Sequence, residues 1–201
     1  QLRLCTAQGR GIQLLMNPSE HERDERDAQL ILALVGLLKD RTDLNLTKII
    51  RDDVDYVWAK PRETKQGHRK RSAGSWWSEE AWKLKDQKRS IGSDGSTVGT
   101  TGEHVMPMRV VSQHLLDLAR ADRLDVTTVL RLLRLPMAVV SVDEDGLLDR
   151  QKMPNGWVFD VDAPDFDVRI WDRYTAAGIK VSELRQLDAQ GNPIGRAPLG
   201  F

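Results

Sequence analysis

The chain has 201 residues, 40% of them apolar and 30% charged, the balance of a globular chain with enough apolar material for a core. Lysine plus arginine equals aspartate plus glutamate, 30 of each, so no global charge draws the chain to nucleic acid or to a membrane. Its one cysteine, Cys5, excludes an intramolecular disulfide and a cysteine-based zinc site and favours a reducing compartment. No apolar run reaches the roughly 18 to 20 residues of a membrane span. The first residues lack the basic region and apolar run of a signal peptide, so a cytoplasmic location is expected.

Leu2 to Met16, two apolar runs around Gln8-Gly9-Arg10-Gly11, reads as a hairpin with Cys5 packed in its first strand. Ser19 reads as the N-cap of a helix that continues to Leu38. Leu30 to Leu38 is apolar nearly all round, which suits burial or an oligomer contact. Leu46, Ile49, Ile50, Val54, Val57 and Trp58 recur at three- and four-residue spacings and predict a second helix from Leu46 to Ala59. Its other face carries Asp52, Asp53 and Asp55. Asp52 and Asp53 point about 100° apart on a helix, so a solvated face fits better than a metal site.

Lys60 to Arg71 holds six basic residues, Lys60, Arg62, Lys65, Arg69, Lys70 and Arg71, against one acid. It cannot build a core, and it reads either as a phosphate-binding loop with salt-dependent affinity or as a charged linker. Trp76 and Trp77 follow. They can stack on bases or anchor the helix that starts at Ser78-Glu79-Glu80. Ser90 to Thr101, rich in Gly, Ser and Thr, predicts a mobile loop.

Gly102-Glu103-His104-Val105-Met106-Pro107 comes next. Proline suits the first position of a helix, predicted over Pro107 to Ala121, and pushes the preceding residue toward an extended form. His104 therefore sits at the end of an extended segment just outside a helix start, a seat for a general base or for a capping histidine. Val111, Leu115 and Leu118 form the apolar stripe of that helix, with His114 at its edge. Asp125 caps a short helix that Pro136 ends, and Met137 to Val142 predicts a buried strand. Ser141-Val142-Asp143-Glu144 has the capping-box form and opens a helix to Arg150. Met153-Pro154-Asn155-Gly156 is a turn. Asp167 reads as the N-cap of a helix from Val168 to Ala177, with Ile170, Trp171, Tyr174 and Ala177 inward and Gly178 just past its end. A strand over Ile179 to Leu187, a turn and a final short strand complete the chain.

Glu103-His104-Val105-Met106-Pro107 resembles the (Asp/Glu)-His-(Ile/Val)-x-Pro signature of HNH nucleases, branches of which occur in modification-dependent restriction. The resemblance covers about six residues of 201. It implies a metal-dependent endonuclease in which His104 activates the water that attacks phosphorus. It implies Glu103 as a group that helps hold a divalent metal, Mg or Mn ahead of Zn or Ni. Asn155 and His114 are the remaining candidates for the metal. The implied partner is nucleic acid, DNA ahead of RNA.

The expected architecture is α+β: helix-rich, with a few short strands and terminal hairpins. Three stretches are set apart, residues 1–59, 60–102 and 103–201, which can also form one domain. Against the nuclease stands a non-catalytic module that binds nucleic acid or protein through residues 60–71 with Trp76 and Trp77. An enzyme of another class is the third reading. Whether His104 faces an open cleft beside a second carboxylate or histidine separates the first two.

Overall fold

In the computed structural model the structure describes residues 18–54, 57, 76–86, 99–187 and 193–196. The predicted N-terminal hairpin, Cys5 and the basic residues Lys60, Arg62, Lys65, Arg69, Lys70 and Arg71 lie outside them. The helices are α1 (Pro18–Leu38), α2 (Leu46–Val54), α3 (Glu79–Asp86), α4 (Met108–Arg120), α5 (Val126–Leu133), α6 (Val142–Leu147), α7 (Phe166–Arg169) and α8 (Asp172–Ala176). The strands are β1 (Trp76–Trp77), β2 (Thr100–His104), β3 (Met137–Ser141), β4 (Arg185–Leu187) and β5 (Pro193–Arg196). The architecture is the expected helix-rich α+β.

The strands form one sheet in the order β2-β3-β1-β4-β5. β3 pairs antiparallel with β2 and parallel with β1, while β4 is antiparallel to β1 and β5. The short run Met137-Ala138-Val139-Val140 is apolar without alternation because β3 lies inside the sheet and both its faces are covered. Ala138 and Val140 join the main core on one face. Val139 packs with Trp77 and Ala81 on the other.

Helices cover the main face. Ala28, Ile31 and Val35 recur at helical spacing and turn one stripe of α1 inward, where it meets α2, α4 and α5. α4 contributes Val111, Leu115, Leu116 and Ala119. The other side of α1 leaves Leu30 49% and Leu37 80% exposed, so the run from Leu30 to Leu38 is not buried all round. An ion pair joins buried Asp24 of α1 to exposed Arg134 at the end of α5, at 3.1 Å. The core runs from Ala28 to Leu184, so all three stretches set apart in the sequence contribute to it.

Two expectations change. Trp76 and Trp77, read as base-stacking rings or as anchors of the next helix, form a short strand seated between β3 and β4, with Trp77 packed on Ala81 of α3. The helix expected over Val168 to Ala177 is two short helices, α7 and α8. Phe166, Trp171 and Tyr174 are all buried. On one continuous helix Phe166 and Trp171 would point roughly 140° apart. The break near Trp171 lets both reach the core. Gly178, at φ +79°, closes α8 in the left-handed conformation expected of it.

The capping box forms as read. The Ser141 hydroxyl accepts from the Glu144 N–H at 3.1 Å, and Glu144 Oε2 accepts from the Ser141 N–H at 2.8 Å. The same oxygen accepts from the Ser78 hydroxyl, whose oxygen accepts from the Ala81 N–H. One carboxylate therefore ties the end of β3, the start of α6 and the start of α3. Glu144→Ala is expected to cost about 1–3 kcal/mol in urea unfolding, more than the roughly 0.5–2 kcal/mol of a lost serine cap at Ser141→Ala. An unchanged midpoint for Glu144→Ala would contradict this role.

Candidate functional site

β2 is an edge strand of the described sheet, and it runs straight into the α4 start. After His104 the chain bends through Val105 and Met106, both buried, and Pro107 takes the N-cap position with ψ 128°. Proline lies one position before the helix rather than in its first turn. His104 is thus placed as expected, half-exposed at the end of an extended segment and just before a helix.

The register decides what Glu103 and His104 share. Glu103 pairs with Ala138 and His104 with Met137. Paired residues point to the same face and neighbours along a strand to opposite faces. Glu103 therefore lies on the main-core face with Ala138 and Val140. His104 lies on the face of Met137 and Val139, toward α3. The two residues do not converge from one side of the strand.

What joins them is Arg173, on α8. Its side chain is 2% exposed. Nη2 donates to the His104 carbonyl at 2.6 Å and Nη1 to the Asp149 carbonyl at 2.7 Å. The Glu103 carboxylate lies 3.9 Å from Nη2. One guanidinium thus fixes the backbone of His104 while facing the side chain of Glu103. Its planar fork serves several acceptors at once, which a lysine ammonium cannot do in the same geometry. Sequence reading missed Arg173. The signal was present: it stands three residues after Ile170 and four before Ala177, on a face otherwise apolar.

Two further polar groups border Arg173. Tyr174 is wholly buried, and burial raises its phenol well above the ordinary tyrosine range, with the nearby Glu103 and Asp145 carboxylates acting in the same direction. Asp145 is 7% exposed and pairs with Arg150. Of the acids Asp143, Glu144 and Asp145, the second caps α6 and the third turns inward. Asp145 Oδ1, Arg173 Nε and the Tyr174 hydroxyl are buried without a hydrogen-bond partner, three polar atoms of the kind that structures seldom leave unsatisfied. Beside them opens a cleft of about 230 Å³ lined by Asp149, Lys152, Asn155 and Arg173 among others.

Asn155 sits exposed in the turn that rims this cleft, so it reaches the Arg173 side of the molecule. His114 does not. Its ring stacks on Phe159, centroids 3.7 Å apart, beside Trp157 and Phe166. Burial lowers its pKa, against an opposing pull from Asp117. Among the described residues no group of three or more His, Cys, Asp or Glu side chains is placed to hold a metal ion. Glu103, Asn155 and His114 are not a ligand set in this arrangement, since the first faces a guanidinium and the last an aromatic ring.

The tryptophans are not a stacking platform. Trp76 is 7% exposed and meets Trp171 edge-on at 6.2 Å, and Trp77 is 4% exposed. The partly exposed ring nearby is Trp82, with Lys85 Nζ 4.6 Å and Arg185 5.2 Å from its centroid. Comparison with models of protein families, with curated proteins and with solved structures found no match.

Arg173→Met is expected to cost about 3 kcal/mol in urea unfolding, because it removes a buried cation from two carbonyls and a facing carboxylate. Arg173→Lys is expected to recover only part of that. Equal stability of the Met variant and the wild type would contradict the clamp. His114 gives a pH test. Its folded pKa lies below the unfolded value of 6.5. Its contribution is nil above that pH, and the fold loses stability as pH falls through it, since the unfolded chain takes the proton first. His114→Phe keeps the stack and is expected to show a smaller drop in melting temperature between neutral and acidic pH. An identical drop would put the titration elsewhere.

Proposed function

We propose that this chain acts on nucleic acid as an HNH-type phosphodiesterase, with His104 as general base. The observation that supports it most is the β2–α4 junction: a partly exposed histidine at the end of an edge strand, its carbonyl held at 2.6 Å by a buried arginine and followed by buried Val105 and Met106. A base needs a fixed backbone and an open side chain, and it must be neutral to take a proton. Glu103 takes a role different from the expected one. It faces Arg173, which holds His104, so it is a positioning residue rather than a first choice of metal ligand. The divalent metal that the resemblance implies is kept as part of the proposal and tested by the assay below, with no step assigned to it. A cytoplasmic location is part of the proposal, in keeping with the single cysteine of the chain. No described helix is long and apolar enough to cross a membrane.

A second reading, a module that binds nucleic acid without cleaving it, is favoured by one observation. Glu103 and His104 lie on opposite faces of β2. In that case the segment is structural, and the activity is affinity alone. A second copy of the chain would meet the exposed Leu30 and Leu37 side of α1.

His104→Ala is expected to keep the melting temperature and to lose about a hundredfold or more in cleavage of plasmid or RNA, assayed with Mg²⁺, Mn²⁺, Zn²⁺ or Ni²⁺. Glu103→Gln is expected to lose activity by a smaller factor, with a changed pH profile, because it acts through Arg173. A folded His104→Ala protein with wild-type cleavage would end the enzymatic reading. Absence of cleavage by the wild type with every metal, together with retained binding, would establish the second one.

A further inference from the structure

Two adjoining clefts lie on the far side of α4, between it, α2 and the turn before α2. One, of about 260 Å³, is lined by Asn45, Thr47, Lys48, Arg51 and Arg109. The other, of about 350 Å³, shares Asn45 and Thr47 and continues past Arg41, Gln113 and Arg120. Together they form one groove. Five of its lining residues are cations, Arg41, Lys48, Arg51, Arg109 and Arg120, and no lining residue is an acid. The chain as a whole carries no net charge, so this is a local excess.

The carboxylates that serve these cations stand outside the lining. Asp43 pairs with Arg41 at 2.7 Å, Asp52 with Lys48 at 2.7 Å and with Arg51 at 3.1 Å, and Asp117 with Arg120 at 3.9 Å. Arg109 donates to the neutral Gln151 at 3.1 Å. Exposed ion pairs of this kind hold little energy, so an entering phosphate can share or replace a carboxylate at small cost. On α4 the residues Arg109, Gln113, Leu116 and Arg120 recur at helical spacing and form one stripe. From Arg109 to Arg120 the helix rises about 16 Å, enough for about five nucleotides at 3.4 Å per step. Amide and hydroxyl groups interleave with the cations, the mixture that nucleic-acid backbones meet in proteins.

We propose that the groove between α2 and α4 binds the phosphodiester backbone of a nucleic-acid strand, through Lys48, Arg51 and Arg109 above all. It rests on the nucleic-acid part of the proposed function but not on cleavage. None of the groove's lining residues belongs to the run Lys60 to Arg71, and the buried tryptophans take no part in it.

The test is fluorescence polarisation of labelled single- and double-stranded DNA on the full chain, in EDTA so that no hydrolysis intrudes, over a range of salt. The triple variant Lys48→Gln, Arg51→Gln, Arg109→Gln is expected to weaken binding tenfold or more and to lower the salt slope by about three. Arg109→Gln alone is expected to lower it by about one, which keeps the test open should the triple variant fold poorly. Arg131→Gln, outside the groove, is expected to bind as wild type. The readout is binding in EDTA and not hydrolysis, so a failed cleavage assay leaves the groove standing. Wild-type affinity and slope in the triple variant would overturn the proposal. So would binding of polyglutamate as tightly as DNA, which would make an acidic polypeptide the occupant.

Discussion

The Arg173 guanidinium is the constraint from which the rest of the site follows. It is a full charge in a region otherwise filled by Tyr174, Met153 and the core strands, and a charge is kept there only if its hydrogen bonds are well made. Two carbonyls accept from it, and a carboxylate faces it at 3.9 Å. These acceptors come from two segments: the end of β2, which supplies the His104 carbonyl and the Glu103 carboxylate, and the turn after α6, which supplies the Asp149 carbonyl. Holding them together fixes where His104 leaves the sheet. The same cation sets the surroundings of Tyr174 and Asp145, and it lines the cleft that Asn155 rims.

The sheet then divides the site. Because neighbours along β2 point to opposite faces, Glu103 is drawn to the core side and His104 to the α3 side. A five-residue motif that looks in sequence like one catalytic unit becomes two groups linked through backbone. The charge of the chain is divided in the same manner. Zero net charge conceals a groove lined by five cations, whose exposed carboxylate partners lie outside the lining. Anion affinity in such a chain is a matter of arrangement and not of composition.

Much of this order was legible from residues. The capping box at Ser141, the Asp125 cap, the Gly178 terminus and the apolar strand Met137 to Ser141 all carry local signals strong enough to specify their own structure. The extended segment ending at His104 was legible because Pro107 restricts the chain before it. Less legible were features that arise from pairing distant segments. Trp76 and Trp77 form a strand only because β3 and β4 lie on either side, and their own sequence fits a helix lead-in as well. The break between α7 and α8 follows from three aromatics competing for one core, which helical periodicity does not report. Arg173 was hidden because an arginine on an apolar face reads as surface until its acceptors, up to 69 residues away, are known.

The central claim, that His104 is a base held in place by its backbone, is tested most directly by the pH dependence of phosphodiester cleavage. The account expects the rate to rise with pH through the loss of a single proton in the histidine range and to level off above it, as a neutral imidazole requires. A rate that is independent of pH across that range, in a protein that remains folded throughout, would contradict it.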